Sequence, residues 1–120
     1  MDKSQAITAF WGNFGLPAYN ENNVPDKVDM PYITFNVVLD NLGHPVNLNG
    51  NLWYKGTSWK DITLKLEEIT KYLQDGKIIP IDGGYMWIVR GSPFAQRVND
   101  DNNLVKRIYI NLTAEFLTAI

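Results

Sequence analysis

A strongly amphipathic segment between Ser58 and Gly76 limits the folds open to this chain of 120 residues. Ser58, with Asp61 three residues later, is typical of a helix start, and Gly76 is typical of the position just past a helix end. Apolar side chains recur at spacings of three and four, which places on one helix face Trp59, Ile62, Leu66, Ile69 and Leu73. The strands on either side of the helix must supply the surface that this apolar stripe covers.

Alternation with a period of two predicts strands on both sides of the helix. Before it, residues 32–40 and 46–55 alternate apolar and polar side chains, and we expect them to pair as an antiparallel hairpin through a turn at 41–45. After it, the sequence predicts strands at 77–81, 85–90 and 104–112. The strand that begins at residue 85 continues in extended form to about Val98, with a bulge or bend at Gly91-Ser92-Pro93.

The two ends of the chain are also patterned. Residues 3–14 read as a short amphipathic helix that stops at Gly15. Asparagine, aspartate and proline are frequent in residues 16–31, which predicts a long loop. Residues 113–120 read as a short apolar C-terminal tail.

These elements follow one another in the order α-β-β-α-β-β-β. The order predicts a single α+β domain over residues 1–120, with two helices packed on one face of an antiparallel or mixed sheet of about five strands. A hydrophobic fraction of 45% is sufficient for a packed core without covalent cross-links.

Composition argues against several classes of function. The absence of cysteine excludes disulfides and thiolate zinc sites, and a net charge of −2 does not favour an electrostatic nucleic-acid binder. No stretch approaches the ~20 apolar residues of a membrane span. The single histidine, His44, lies in a turn, and the segment around Ser92 lacks the second glycine of a nucleophile elbow. We therefore expect no enzyme activity, no cofactor and no metal site.

The hairpin of residues 85–112 is the more informative region, because all three arginines of the chain fall within it: Arg90, Arg97 and Arg107. Aromatic residues lie on the same predicted strands, at Tyr85, Trp87, Phe94 and Tyr109. Arginine and aromatic side chains together are typical of binding hot spots. The alternative is a hairpin whose aromatic residues are core and whose arginines are solvated.

Several segments resemble the small tail-terminator or tail-completion proteins of long-tailed bacteriophages and prophages of Gram-positive hosts. Gly91-Ser92-Pro93-Phe94-Ala95-Gln96-Arg97 is the most specific of them. The others are Phe10-Trp11, Phe14-Gly15-Leu16-Pro17-Ala18-Tyr19, Val24-Pro25, Pro31-Tyr32-Ile33-Thr34-Phe35, Leu52-Trp53-Tyr54, Ser58-Trp59 and Arg107-Ile108-Tyr109-Ile110-Asn111-Leu112.

The resemblance implies a structural protein of the virion, located in the tail or neck and assembled in the bacterial host cytoplasm. Such proteins form a ring, hexameric in the family, that caps the tail tube, stops its polymerisation and presents a surface for head–tail joining. The implied partners are further copies of the chain, the tail-tube protein and a head-connector or stopper protein. DNA passes through the lumen without specific binding, and no membrane is involved.

A closed ring needs two different patches on each subunit that meet head to tail. We expect them in the 85–112 hairpin and in the 16–31 loop with the C-terminal tail. The expected interface residues are Arg90, Phe94, Gln96, Arg97, Arg107, Tyr109, Tyr19 and Phe116. Two alternatives stay open: a head–tail stopper or adaptor of the neck, and a small α+β module that binds a ligand or peptide.

Overall fold

The computed structural model describes residues 1–38 and 45–118 of the chain. Within them two α-helices, one 3₁₀ turn and six strands form an α+β fold, as predicted. The elements are α1 (Lys3–Trp11), the 3₁₀ turn (Gly12–Phe14), β1 (Ala18–Asn20), β2 (Tyr32–Phe35), β3 (Val46–Lys55), α2 (Lys60–Leu73), β4 (Lys77–Ile81), β5 (Gly84–Val98) and β6 (Val105–Thr118).

The six strands form one sheet in the order β1-β2-β3-β6-β5-β4. β1 pairs with β2 in parallel, and every other neighbouring pair is antiparallel, so the sheet is mixed. The strand absent from the predicted order is β1, which lies inside the predicted 16–31 loop. The three residues of β1 are held by backbone pairing with β2, and no local sequence pattern predicts this pairing.

The prediction of a C-terminal tail at 113–120 is wrong as far as Thr118, because β6 runs on to that residue. Ala114 and Phe116 continue the buried alternation of Leu112, and they lie opposite Ile88 and Met86 of β5. Residues 119 and 120 lie outside the described part of the chain.

The hairpin predicted from 32–40 and 46–55 forms, but its first strand is shorter than predicted. β2 ends at Phe35, which lies opposite Gly50 of β3. Leu39, Asp40 and most of the predicted turn, including His44, fall outside the described residues.

The first helix begins with a capping box of Asp2 and Gln5, which the sequence prediction did not include. The Asp2 carboxylate accepts a hydrogen bond from the Gln5 backbone N–H at 2.7 Å, and the Gln5 side chain accepts one from the Asp2 N–H at 3.0 Å. The chain leaves the helix through the 3₁₀ turn and then Gly15, whose φ of 74° favours glycine. The predicted 3–14 helix is thus confirmed, with its last turn tightened.

The second helix covers the centre of the sheet with the predicted stripe. Ile62, Ile69 and Leu73 have no exposed surface. The Ser58 hydroxyl accepts a hydrogen bond from the Lys60 backbone N–H at 3.1 Å, so it contributes at the helix start, one residue before the helix-capping position Trp59. Gly76, with a φ of 148°, directs the chain into β4.

Both helices pack on the same face of the sheet. The strand residues on that face belong to one buried cluster with the helices, which includes Ile33, Phe35, Leu48, Leu52, Met86, Ile88, Ile108, Ile110, Leu112, Ala114 and Phe116. Trp11 of α1 is fully buried and stacks on Phe35 of β2, with ring centroids 6.3 Å apart. We refer to the opposite face, on which no helix lies among the described residues, as the outer face.

Gly50 is the point at which α1 approaches the sheet most closely. A Cβ atom added there would lie 2.4 Å from the Trp11 ring, which is buried on all sides and cannot move away. We expect Gly50→Ala to lower the free energy of unfolding by about 1–3 kcal/mol through overpacking.

Urea denaturation would measure this change, with Gly12→Ala as the matched control. Gly12 has a helical φ of −75° and open space around its Cβ position, so its substitution should leave stability unchanged or slightly raised. Equal unfolding free energies for the two variants would show that Trp11 is not held against β3.

Candidate protein-binding face

Among the described residues no helix covers the outer face, and most of its side chains keep some exposed surface. Side chains alternate across each strand, so the outer face holds the residues between the buried ones. Among the described positions of this face, only Thr34 is buried. The others are half-buried or exposed, and they include Tyr19, Tyr32, Asn47, Asn49, Asn51, Trp53, Ile78, Pro80, Tyr85, Trp87, Val89, Gln96, Arg107, Tyr109, Asn111, Thr113, Glu115 and Leu117.

One corner of the outer face carries a row of three aromatic rings and one guanidinium group that crosses four strands. Tyr19 of β1 meets Tyr32 of β2 edge to face at 6.1 Å, and Tyr32 stacks on Trp53 of β3 at 6.2 Å. The Arg107 guanidinium of β6 continues the row, with its Cζ 4.8 Å from the Trp53 ring centroid. We refer to these four residues as the aromatic corner.

Strand register builds this corner. Trp53 lies opposite Tyr32 on one side and opposite Arg107 on the other. The Trp53 indole N–H donates to the Thr34 hydroxyl at 2.8 Å, and the Arg107 Nε–H donates to the Asn51 side-chain oxygen at 2.8 Å. These bonds fix both side chains, which stay half-buried at the surface and so suit a preorganised binding surface.

The diagonally opposite corner is apolar. Ile78 of β4 lies opposite Trp87 of β5, and Tyr85 of β5 lies between Pro80 and Leu117. Exposure is 62% for Ile78, 42% for Tyr85, 39% for Trp87 and 36% for Leu117. We refer to these five residues as the apolar corner. A continuous apolar patch of this kind usually marks a protein-binding site.

Between the two corners lies a shallow cavity of about 320 Å³ lined mainly by uncharged polar groups. Its lining consists of Asn47, Asn49, Pro93, Ala95, Gln96, Tyr109 and Asn111. The Oδ1 atom of Asn49 is buried and has no hydrogen-bond partner among the described residues. A buried acceptor without a partner is destabilising.

The predicted bulge forms one wall of the cavity. Arg90 pairs with Leu112 and Ala95 pairs with Ile110, so residues 91–94 together lie opposite Asn111 alone. A Cβ atom on Gly91 would lie 2.5 Å from the Asn111 side chain, so only glycine allows this approach. The bulge thereby turns the Pro93 carbonyl towards the Asn111 amide, at 3.5 Å.

A second group of cations and aromatic rings lies on the helix side of the sheet. The Cζ of Arg97 is 4.6 Å from the Trp59 ring centroid, and the Nζ of Lys106 is 5.6 Å from the same ring. Lys106 is almost fully buried, and its ammonium donates to the Asn103 carbonyl. These contacts join the start of α2 to β5 and β6 within the subunit.

The eight residues predicted at an interface therefore separate into groups. Tyr19, Gln96, Arg107 and Tyr109 share the outer face. Arg97 lies on the helix side, where it stacks on Trp59.

Arg90 and Phe94 lie together at the bulge, with the Arg90 Cζ 5.9 Å from the Phe94 ring centroid. Phe116 has no exposed surface, so its assignment to an interface is wrong: it is a core residue opposite Met86.

Sequence reasoning did not list seven residues of the two corners among the expected interface residues: Tyr32, Trp53, Ile78, Pro80, Tyr85, Trp87 and Leu117. The signal for Tyr32 and Trp53 was their position out of phase with the buried residues of their own strands. The signal for Leu117 was the alternation of the C-terminal segment, which the prediction treated as a tail.

No group of three or more metal-ligating side chains comes together within residues 1–38 and 45–118. In the same part of the chain, no helix is long and apolar enough to span a membrane. No protein-family model matches the sequence, and no curated protein sequence matches it significantly.

Tyr54 gives the helix side a measurable pH dependence. Burial raises the pKa of the Tyr54 phenol, and the negative charges of Asp61 and Glu68 raise this pKa further. The unfolded phenol ionises near pH ~10 and the folded one above it, so the stabilisation is complete below pH ~10 and is lost as pH rises through the folded pKa.

We therefore expect the free energy of unfolding to fall less steeply above pH ~10 in Tyr54→Phe than in the unsubstituted chain. Urea denaturation over a series of alkaline buffers would measure both slopes. Identical slopes would show that folding does not raise the pKa of Tyr54.

Proposed function

We propose that this chain is a structural subunit of a long-tailed bacteriophage or prophage particle, a tail terminator that assembles as a ring on the end of the tail tube. The observation that carries the proposal is the open outer face, on which two different apolar surfaces are held by the register of one sheet. The Gly91–Arg97 segment, the most specific element of the resemblance, forms the bulge beside this face.

The chemistry of the outer face supports a protein partner. Tyrosine, tryptophan and arginine are the residues most enriched in binding hot spots, and all three occur in the aromatic corner. At the apolar corner, exposed apolar area is removed from water only when another molecule covers it. On the tube tip, the proposed occupants of the outer face are the tail-tube protein and neighbouring ring subunits.

Two other hypotheses about the function stay open. A head–tail stopper of the neck would use the same kind of surface, but it would bind the head connector in place of the tube. The amide-lined cavity of about 320 Å³ favours the second reading, a module that binds a small ligand or peptide, since this volume lies at the lower end of the range for ligand pockets.

A tube-capping assay tests the proposed function. The cognate tail-tube protein would be allowed to polymerise with and without this chain, and the tubes would be imaged by electron microscopy. We expect shorter tubes with a ring at one end. Tubes of unchanged length and bare ends would contradict the terminator function, and binding to connector but not to tube would favour the stopper.

A matched pair of variants locates the surface. Tyr85→Glu places a charge in the apolar corner and should abolish capping. Leu64→Glu is the control, because Leu64 is 53% exposed on α2, and α2 packs on the sheet face opposite to the outer face. Loss of capping in both variants, or in neither, would show that capping does not depend specifically on the outer face.

A further inference from the structure

We propose that, before the subunit reaches a tube, two copies of this chain pack outer face to outer face about a two-fold axis. In this pair the aromatic corner of each copy covers the apolar corner of the other. The inference goes beyond the proposed function and does not depend on it, because it concerns the free subunit.

The size of the outer face is that of a stable dimer interface. β3, β5 and β6 have 10, 15 and 14 residues, whereas β1, β2 and β4 have three to five. With about 4.8 Å between strands and about 3.4 Å per residue, the flat area is on the order of 830 Å². Standard interfaces bury about 800 Å² per partner, so a second copy would cover this face at the usual scale.

The charges of the outer face are complementary to those of a second copy. Arg107 and Lys55 are the cations on the described part of this face, and both lie at the end of the sheet that carries the aromatic corner. Glu115 is its carboxylate, and it lies beside Trp87 in the apolar corner. Eight residues of β6 separate Arg107 from Glu115, which is about 27 Å along a strand, too far for a pair within one subunit.

The Glu115 carboxylate has no hydrogen bond or ion pair with any of the described residues. Arg107 uses only its Nε–H within the subunit, which leaves the terminal guanidinium nitrogens for a carboxylate. Both charges are therefore available to a neighbour, and each would meet its opposite when one corner covers the other.

The centre of the outer face has the chemistry that a two-fold contact requires, because groups near the axis meet their own copies. A charged group would repel itself there, whereas a carboxamide both donates and accepts hydrogen bonds and so is self-complementary. The centre carries Asn47, Asn49, Gln96 and Asn111, all uncharged amides.

Two-fold symmetry makes the proposed pair a closed dimer. The two corners are diagonally opposite on one face, so a two-fold axis in the interface plane and perpendicular to that diagonal places each corner on the other corner of its partner. Both contacts form in one step, and neither corner is left open to bind a third subunit. The pair would thus be a dimer and would not extend into a filament.

Light scattering over a range of concentrations tests this dimer. We expect a mass of twice the 13.7 kDa subunit for the unsubstituted chain and for Leu64→Glu, and a monomer for Tyr85→Glu. Circular dichroism would check that each variant is folded. A monomer at every concentration would overturn the proposal, as would an oligomer of any size that Tyr85→Glu leaves intact.

Charge reversal tests the predicted pairing of the corners. Glu115→Arg should weaken dimerisation at least tenfold, because it places a cation against Arg107 and Lys55 of the partner. Arg107→Glu should weaken it similarly, and the double variant should recover most of the affinity. Single variants that dimerise normally, or a double variant weaker than both, would overturn this arrangement.

These results are separable from those of the tube assay. If the chain dimerises as proposed but never caps a tube, the dimer proposal stands and the terminator proposal is wrong. If the chain caps tubes through Tyr85 but is monomeric when free, the terminator proposal stands and the dimer proposal is wrong.

Discussion

The structure depends on the packing of both helices against one side of a six-stranded sheet. The contact is closest where Gly50 lets the Trp11 ring lie directly on β3, and the stack of Trp11 on Phe35 extends it to β2. With 9 and 14 residues, α1 and α2 supply enough apolar surface for one face only. The other face must therefore be stable in water while it carries large aromatic and aliphatic side chains.

The two corners of the outer face meet this requirement in different ways. In the aromatic corner the Trp53 indole N–H and the Arg107 Nε–H have partners within the subunit, so covering these side chains leaves neither donor unpaired. The apolar corner has no comparable bonds among the described residues, and its exposed area favours association directly. On this surface the aromatic corner provides side chains held in fixed orientations, and the apolar corner provides exposed apolar area that favours binding.

Features that depend on neighbours in sequence could be predicted, and features that depend on distant pairing could not. The stripe of α2, the helix near the N-terminus and the bulge at Gly91-Ser92-Pro93 follow from local spacing and backbone preference. The row of Tyr32, Trp53 and Arg107 depends on the register of three strands, which no local pattern specifies. β1 was missed because its parallel pairing with β2 is a tertiary contact. Phe116 was misassigned although its alternation with Leu112 and Ala114 indicated a continuing strand.

The proposed dimer and the proposed ring require the same face, so each state limits the other. If a second copy covers the outer face, the apparent affinity of the subunit for any other partner is reduced by the fraction of free monomer. A tube tip would have to offer enough binding free energy to separate the pair, whereas stray contacts in solution would not. Charge complementarity between Arg107 and Glu115 would hold the free subunit closed against weak partners. The apolar corner around Tyr85 and Trp87 would supply most of the free energy gained when a matching partner replaces the second copy.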